Sequence, residues 1–314
     1  MGGAGFWART FYRRLRGRIG KSWYVAPSLE AEMQVLRECW SDGSALFHFL
    51  YGEDDFRFAG LGRRLNKRAR IVVTYHQPPA TFEEVVQEKR HVAALDAVIV
   101  VGSNQVAYFE NIVGRGKVFH VPLGIDADFF RPASNSPNKS EARTCLFVGQ
   151  WLRDFACLRD VIRLVTGKHR HVRFQVITTE TGRQQLGNLP GADIQTGVRD
   201  GALRVAYQAA DALVLPLLDS TANCAILEAM ASGLPVVTTA VGGIGDYVDE
   251  QCALLAAAGN AEEMASKVLQ LLSDDALRTR MGEAAREKAV REFDWRIVAG
   301  KIRAVHETVM NGLP

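Results

Sequence analysis

The stretch that decides the fold is ALVLPLLDSTANCAILEAMASGLPVVTTAVGGIGDYV, residues 212–248. It opens on a short apolar run ending at Pro216, which reads as a buried strand. A loop of small and polar residues follows, and a helix is predicted over 223–232, with one acid, Glu228, among Ala, Ile, Leu and Met. Gly233-Leu234-Pro235 ends that helix and a second buried strand is predicted over 235–238. Gly242-Gly243 then allows a positive φ and a close approach of backbone to a ligand. A small-residue loop at a helix N-terminus offers unpaired N–H groups and the positive end of a dipole, which suits a diphosphate. A lone carboxylate one to two turns into that helix can accept hydrogen bonds from vicinal ribose hydroxyls. An ordinary helix cap followed by a solvated glutamate would read the same way.

Outward from this segment the same alternation repeats. Toward the N-terminus a helix is predicted over 6–18, a short strand at 23–25 and a helix over 29–40. Strands are predicted at 45–51, 71–75, 97–101 and 118–121, separated by helices 81–94 and 103–113. Residues 131–140, RPASNSPNKS, are polar and carry two prolines, which marks a linker. The alternation then restarts, with strands at 144–148, 173–177 and 193–196 and helices at 154–166 and 201–210. Helices close the chain at 261–272, 275–290 and 294–311. Strand–helix alternation implies parallel sheets covered by helices. The expected class is α/β, with two Rossmann-like doubly wound domains facing a cleft. The expected domains are residues 1–131, completed by helix 294–314, and residues 132–293.

Composition fits this layout. The 314 residues are 47% apolar and 23% charged, with 38 Lys and Arg against 35 Asp and Glu. That excludes a disordered or collagen-like chain. Five scattered cysteines without C-x-x-C spacing suggest neither a disulfide framework nor a zinc site and fit a reducing, cytoplasmic setting. The opening residues lack the apolar core of a secretory signal, and no apolar run reaches membrane-spanning length. Charge is uneven: residues 1–29 hold six basic residues and no acid, and residues 57–70 hold six more, again with no acid.

Five segments in order carry a family resemblance. TYHQPP (74–79), VIVVGSNQVAYFENIVGRGKVFHVPLGIDADFFRP (98–132), LFVGQWLRDF (146–155), LEAMASGLPVV…VGGI (227–244) and FDWRIVAGKIRAVHETV (293–309) together resemble the retaining GT-B glycosyltransferases of the sucrose-synthase-like family four, "glycosyl transferases group 1". The resemblance implies that Glu228 holds the donor's ribose. It places Thr221, Ala222 and Asn223 in the loop that approaches the diphosphate and the transferred sugar. Gly149 matches the glycine of the donor-domain loop, His76 the cleft histidine, and Val198 the position whose backbone meets the nucleobase. Gly2-Gly3 match a glycine pair that in the family follows the first strand and lines the cleft floor, so the N-terminal domain is expected to lack that strand.

Two departures qualify the match. The family often has a second glutamate eight positions before the ribose-binding one, where this chain has Ser220, with Asp219 beside it as the candidate replacement. It also tends to have Arg directly after the loop glycine, where this chain has Gln150. Arg153 is the expected cation for the leaving diphosphate, because a guanidinium pairs phosphate oxygens bidentately and stays charged.

The activity implied is transfer of a sugar from a UDP- or GDP-linked donor to a hydroxyl of a glycan or lipid-linked acceptor, with retention, in polysaccharide or glycolipid synthesis. Alternatives are an idle homologue that binds nucleotide sugar as a scaffold subunit, and a nucleotide-sugar epimerase. No metal or other cofactor is expected. Asp126-Ala-Asp128 fits D-x-D, a metal–nucleotide signature of another glycosyltransferase architecture, but it lies in the hinge segment. Gly3-Ala-Gly5 with Ala8 fits a dinucleotide fingerprint without the strand that must precede it. His48, His91 and His306 read as structural. The basic stretches 9–21 and 57–70 are expected to attract an anionic membrane surface, giving peripheral association at the inner membrane face, and no nucleic-acid partner is expected.

Overall fold

The computed structural model describes residues 23–40, 43–133 and 142–312. Gly2, Gly3, the expected helix 6–18, the basic stretch 9–21 and the expected absence of a first strand lie outside the described residues. The chain divides into two units. One comprises residues up to Pro122 together with those from Ala299 onward; the other is Leu123–Val298.

In the first unit the main described elements, short helical turns aside, are α1 (Ala26–Glu38), β1 (Leu46–Phe49), β2 (Arg70–Tyr75), α2 (Pro79–Val85), β3 (Ala97–Val100), α3 (Val106–Val113) and β4 (Val118–His120). The strands pair in parallel in the order β1-β2-β3-β4. β3 is buried along its whole length, as a continuous Ala-Val-Ile-Val run requires when helices cover both faces. Ile71, Val73, Tyr75, Phe82, Val98 and Phe109 form the centre of the core.

The second unit contains β5 (Arg143–Val148), α4 (Phe155–Lys168), β6 (Val172–Thr178), α5 (Glu180–Leu186), β7 (Ala192–Thr196), α6 (Asp200–Ala209), β8 (Ala212–Leu215), α7 (Cys224–Ala231), β9 (Val236–Thr239), β10 (Ala253–Ala256), α8 (Ala261–Ser273), α9 (Asp275–Lys288) and the start of α10 (Trp295–Asn311). Its sheet is parallel, in the order β10-β9-β8-β5-β6-β7. The chain runs outward through β6 and β7, returns to the other side of β5 as β8, and runs outward again. The order reverses between β5 and β8, and ligands of open α/β sheets bind at the carboxyl ends of the strands flanking such a switch point.

The unit boundary falls at Pro122–Leu123, ahead of the expected 131/132. Residues 123–130 are tied to the second unit by polar contacts that composition does not display. Leu123 N–H donates to the Tyr247 phenol at 2.8 Å and Ile125 N–H to the Phe293 carbonyl at 2.8 Å. The Arg286 guanidinium donates to the carbonyls of Ala127 and Phe130 at 2.8 and 3.0 Å. The later boundary, expected at 293/294, falls inside α10 at Val298–Ala299, and the part beyond it is fastened to β1 by His306 Nε2, 3.1 Å from His48 Nδ1.

Two element expectations are corrected. Residues 23–25 form no strand; Pro27 at the helix start and the immediate onset of α1 leave no room for one. The expected helix 81–94 is α2 plus a separate turn at Arg90–Ala93. The β-branched pair Val85 and Val86 is buried where α2 ends, and two such side chains crowd the preceding turn of a helix.

Candidate functional site

The site is built on the two loops that leave β5 and β8. Gly149 follows β5 with φ +103°. A Cβ added there would lie 2.7 Å from Arg153 Nη2, so glycine is required both for the backbone turn and for the guanidinium lying over it. Thr178 Oγ1 donates to the Gly149 carbonyl at 2.9 Å, and the Thr179 hydroxyl donates to Gln150 Oε1. The loop is laced to the one after β8. Leu218 N–H donates to the Leu152 carbonyl at 3.0 Å and Asp154 N–H to the Pro216 carbonyl at 3.0 Å. Leu152 adopts φ +56°, a conformation that costs a leucine about 1–3 kcal/mol and persists only where its surroundings impose it.

These contacts aim Arg153. Its Nε–H donates to the Val148 carbonyl at 3.1 Å, Nη1 to the Trp151 carbonyl at 3.0 Å and Nη2 to Asn223 Oδ1 at 3.2 Å. A guanidinium has five N–H donors, so two remain without a partner among the described residues. Burial lowers its pKa to about 10, opposed by the neighbouring Tyr207, Cys224 and Glu228; it is charged at neutral pH. Asn223 is the N-cap residue of α7, yet its side chain caps no backbone N–H and instead takes the Arg153 hydrogen bond. The first N–H groups of α7 are thereby left for another acceptor.

Glu228 lies on α7, half-buried. Burial raises its pKa to about 7, against the opposing effects of the Tyr207 hydrogen bond and the Arg153 charge. Tyr207 Oη donates to Glu228 Oε2 at 2.8 Å. Tyr207 was missed by reading the sequence; on α6 its only signal is a place in the apolar stripe, which says nothing of its hydroxyl. It is buried edge-on against Phe130, with ring centroids 5.8 Å apart.

The remaining expected residues fall as follows. Ser220, Thr221 and Asn223 are buried and Ala222 half-buried in the loop before α7. Gly242, at φ +52°, packs under that loop: a Cβ there would come within 1.9 Å of the Ser220 carbonyl. Asp219 Oδ1 accepts from Ser220 N–H at 2.7 Å, so this oxygen shapes the loop. Val198 follows β7 and packs against the core of the second unit. Asp126 accepts from the N–H groups of Asp128 and Phe129 and so serves the local turn, and Asp128 pairs with Arg296 at 3.4 Å.

His76 belongs to the first unit, just past β2. Its N–H donates to Glu53 Oε1 at 2.6 Å, its Nε2 lies 2.8 Å from the Leu50 carbonyl, and its ring stacks on Tyr51 at 4.8 Å between centroids. Facing a carbonyl, Nε2 carries the proton, and burial lowers the imidazole pKa, so the ring is neutral. Glu53 also accepts from Gln77 N–H, and burial pushes its pKa to about 7. Glu53 was also missed by reading the sequence, as one acid among three in a short polar run.

In the second unit, then, a glycine loop, a fixed arginine, an uncapped helix N-terminus and a half-buried glutamate converge at the switch point. Residues 142–274 match the family model described as glycosyl transferases group 1. Over this segment the chain is similar to the glycosyl transferases group 1. Among relatives, the chain is 39% identical over 113 residues to a sulfoquinovosyl transferase of Arabidopsis thaliana, covering 34% of this chain and 22% of that protein. Among solved structures, a sucrose-phosphate synthase from Thermosynechococcus elongatus superposes with a TM-score of 0.69 at 20% identity, over 85% of this chain and 74% of that one. HepE of Anabaena, solved in complex with UDP-glucose, superposes with a TM-score of 0.68 at 15% identity, over 90% of this chain and 82% of that one. The chain spans between 22% and 47% of the length of the first curated relatives it matches. The fold is that of the GT-B glycosyltransferases: two parallel sheets flanked by helices.

Proposed function

We propose that the chain transfers a sugar from a UDP- or GDP-linked donor to a hydroxyl of a glycan or lipid-linked acceptor, with retention at the anomeric carbon. The observation that carries this reading is Arg153, held by three protein oxygens with two donors to spare, beside the uncapped start of α7. That pair is suited to the charge that grows on a departing diphosphate. In this reading the bond from the anomeric carbon to the diphosphate breaks and a bond to the acceptor oxygen forms. The acceptor's proton passes to the leaving phosphate. Glu228 takes the ribose hydroxyls, the loop at Thr221 and Ala222 faces the diphosphate and sugar, Val198 lies by the base, and His76 is the first unit's candidate for the transferred sugar. The reading calls for no metal.

The test is a panel of UDP- and GDP-sugars with simple glycoside and lipid-linked acceptors, followed by proton NMR of the anomeric signal. Transfer with retained configuration supports the proposal; inversion, or failure of every donor to bind, refutes it. One observation favours a second reading, nucleotide-sugar binding without transfer. Ser220 stands where the family often has a glutamate, and an Asp219 carboxylate oxygen is taken by Ser220 N–H. Donor binding without turnover on any acceptor would support that reading.

A further inference from the structure

The first unit carries an apolar groove of about 490 Å³ unrelated to the residues described above, formed where the C-terminal half of α1 meets the turns at 59–65. Met33 and Leu36 form its floor, and Trp40, Leu61 and Leu65 stand at its rim. The rim residues are conspicuously bare: Trp40 is 79% exposed, Leu61 49% and Leu65 53%.

The groove is built firmly. Buried Glu32 of α1 accepts from the N–H groups of Arg57, Phe58 and Ala59 at 2.6–2.8 Å and from the Tyr24 phenol at 2.5 Å. That fastens the start of the 59–65 turns to the helix. At their middle, Gly62 lies so close to α1 that a Cβ would meet Cys39 Sγ at 2.7 Å. At their end, Asn66 Nδ2 donates to the Gly43 carbonyl at 2.9 Å. An exposed tryptophan and two exposed leucines are thus held on one face by a buried polar network rather than left on a loose loop.

The two charged residues that line the groove, Arg37 and Arg64, are both cations, and Lys67 and Arg68 follow Leu65 closely in sequence. Arg37, Arg64, Lys67 and Arg68 are exposed, and none of their side chains has an ion-pair partner among the described residues. Arg63 is the exception, paired with Asp96 at 3.3 Å. The acids nearest in sequence are Glu38, beside Arg37, and Asp42, two positions past Trp40. Aromatic and aliphatic tips beside cations without an ion-pair partner among the described residues suit the boundary between lipid headgroups and acyl chains.

We infer that this face docks on an anionic lipid surface, with Trp40, Leu61 and Leu65 inserting at the headgroup level and Arg37, Arg64, Lys67 and Arg68 meeting lipid phosphates. The occupant is chosen by charge: among the described residues Arg37, Arg64, Lys67 and Arg68 have no ion-pair partner.

The full chain is sedimented with phosphatidylcholine vesicles with and without phosphatidylglycerol, at low salt. Binding is expected only with the anionic lipid. Each cation near the surface contributes about five-fold to such partitioning, so R64Q/R68Q is expected to bind about twenty-five-fold more weakly. Trp40→Ser is expected to weaken binding as well, and to abolish a vesicle-induced blue shift of tryptophan emission. R64Q/R68Q alters exposed side chains alone, so it answers even if Trp40→Ser fails to fold. Parent-like binding of both variants would overturn the inference and assign any lipid affinity to another part of the chain. Absence of binding to anionic vesicles would also overturn it. So would a concentration-dependent dimer, in the absence of lipid, that Trp40→Ser disperses, since the face would then belong to a second copy.

Discussion

Replacing Tyr207 by Phe removes one hydroxyl and leaves the ring that packs against Phe130. The lost hydrogen bond, 2.8 Å to Glu228 Oε2, is part-buried and made to a group that can ionise. A hydrogen bond to a charged partner contributes about 1.5–3 kcal/mol, and one pKa unit corresponds to about 1.4 kcal/mol. The phenol favours the carboxylate over the carboxylic acid, so its loss lifts the Glu228 midpoint from about 7 by roughly one to two pH units. If Glu228 accepts ribose hydroxyls as a carboxylate, affinity for UDP or GDP rises through pH 7 in the parent and through a higher pH in Y207F. At pH 7 the variant then binds about five- to fifty-fold more weakly, and the difference narrows to about twofold or less by pH 9. Isothermal titration of UDP and GDP across pH 6–9 reads this directly, with Glu228→Gln as the form that cannot ionise. The reasoning fails if Y207F keeps the parent's midpoint, or if Glu228→Gln shows the same pH dependence as the parent.

Further outcomes follow from the same geometry. Arg153→Ala should lower kcat about 10²–10³-fold on any accepted donor, the usual loss for one preorganised donor to developing charge; Arg153→Lys should recover little, because an ammonium cannot span the same three oxygens while presenting further donors. A steady-state rate equal to the parent's would count against the assigned role. Gly242→Ala should lower the melting temperature and weaken nucleotide binding together, because its Cβ meets the Ser220 carbonyl at 1.9 Å at a φ of +52°; a parent-like Tm would show that the loop gives way freely. Glu53 holds its proton to about pH 7 in the fold, whereas an unfolded glutamate releases it near 4.5. Between those values the folded state binds more protons, so this group's effect on stability becomes less favourable as pH rises, by on the order of 3 kcal/mol in all. Glu53→Gln removes that dependence, and urea denaturation at pH 5 and 8 should show a smaller difference than in the parent.

Much of the second unit was legible because its chemistry is written in residue types. A strand ending in proline, small residues, a helix with one acid and a glycine pair can each be read locally, and β8, α7 and β9 lie within a residue or two of expectation. Arg153 was legible as a cation at the right distance from Gly149. Its three-oxygen cradle was not, because two of those oxygens are backbone carbonyls, which any residue supplies. Tyr207 was hidden because burial of its ring and use of its hydroxyl give one and the same apolar stripe. Helix α5, ETGRQQL, was missed because it is polar all round and carries a glycine; Thr179, whose hydroxyl accepts from Gly182 N–H, caps it. β10 was missed because Ala253–Ala256 is too short and too alanine-rich to announce a strand.

Helix α10 adds a matter of timing. It begins in the second unit and ends in the first, where His306 meets His48 across 258 positions of sequence. During synthesis the whole of Leu123–Val298 therefore leaves the ribosome before the first unit receives its last piece. The second unit is continuous and can fold as it emerges, whereas the first must wait with β1 lacking its His306 partner. A stop codon after residue 298 would thus injure the unit made first and spare the one made last.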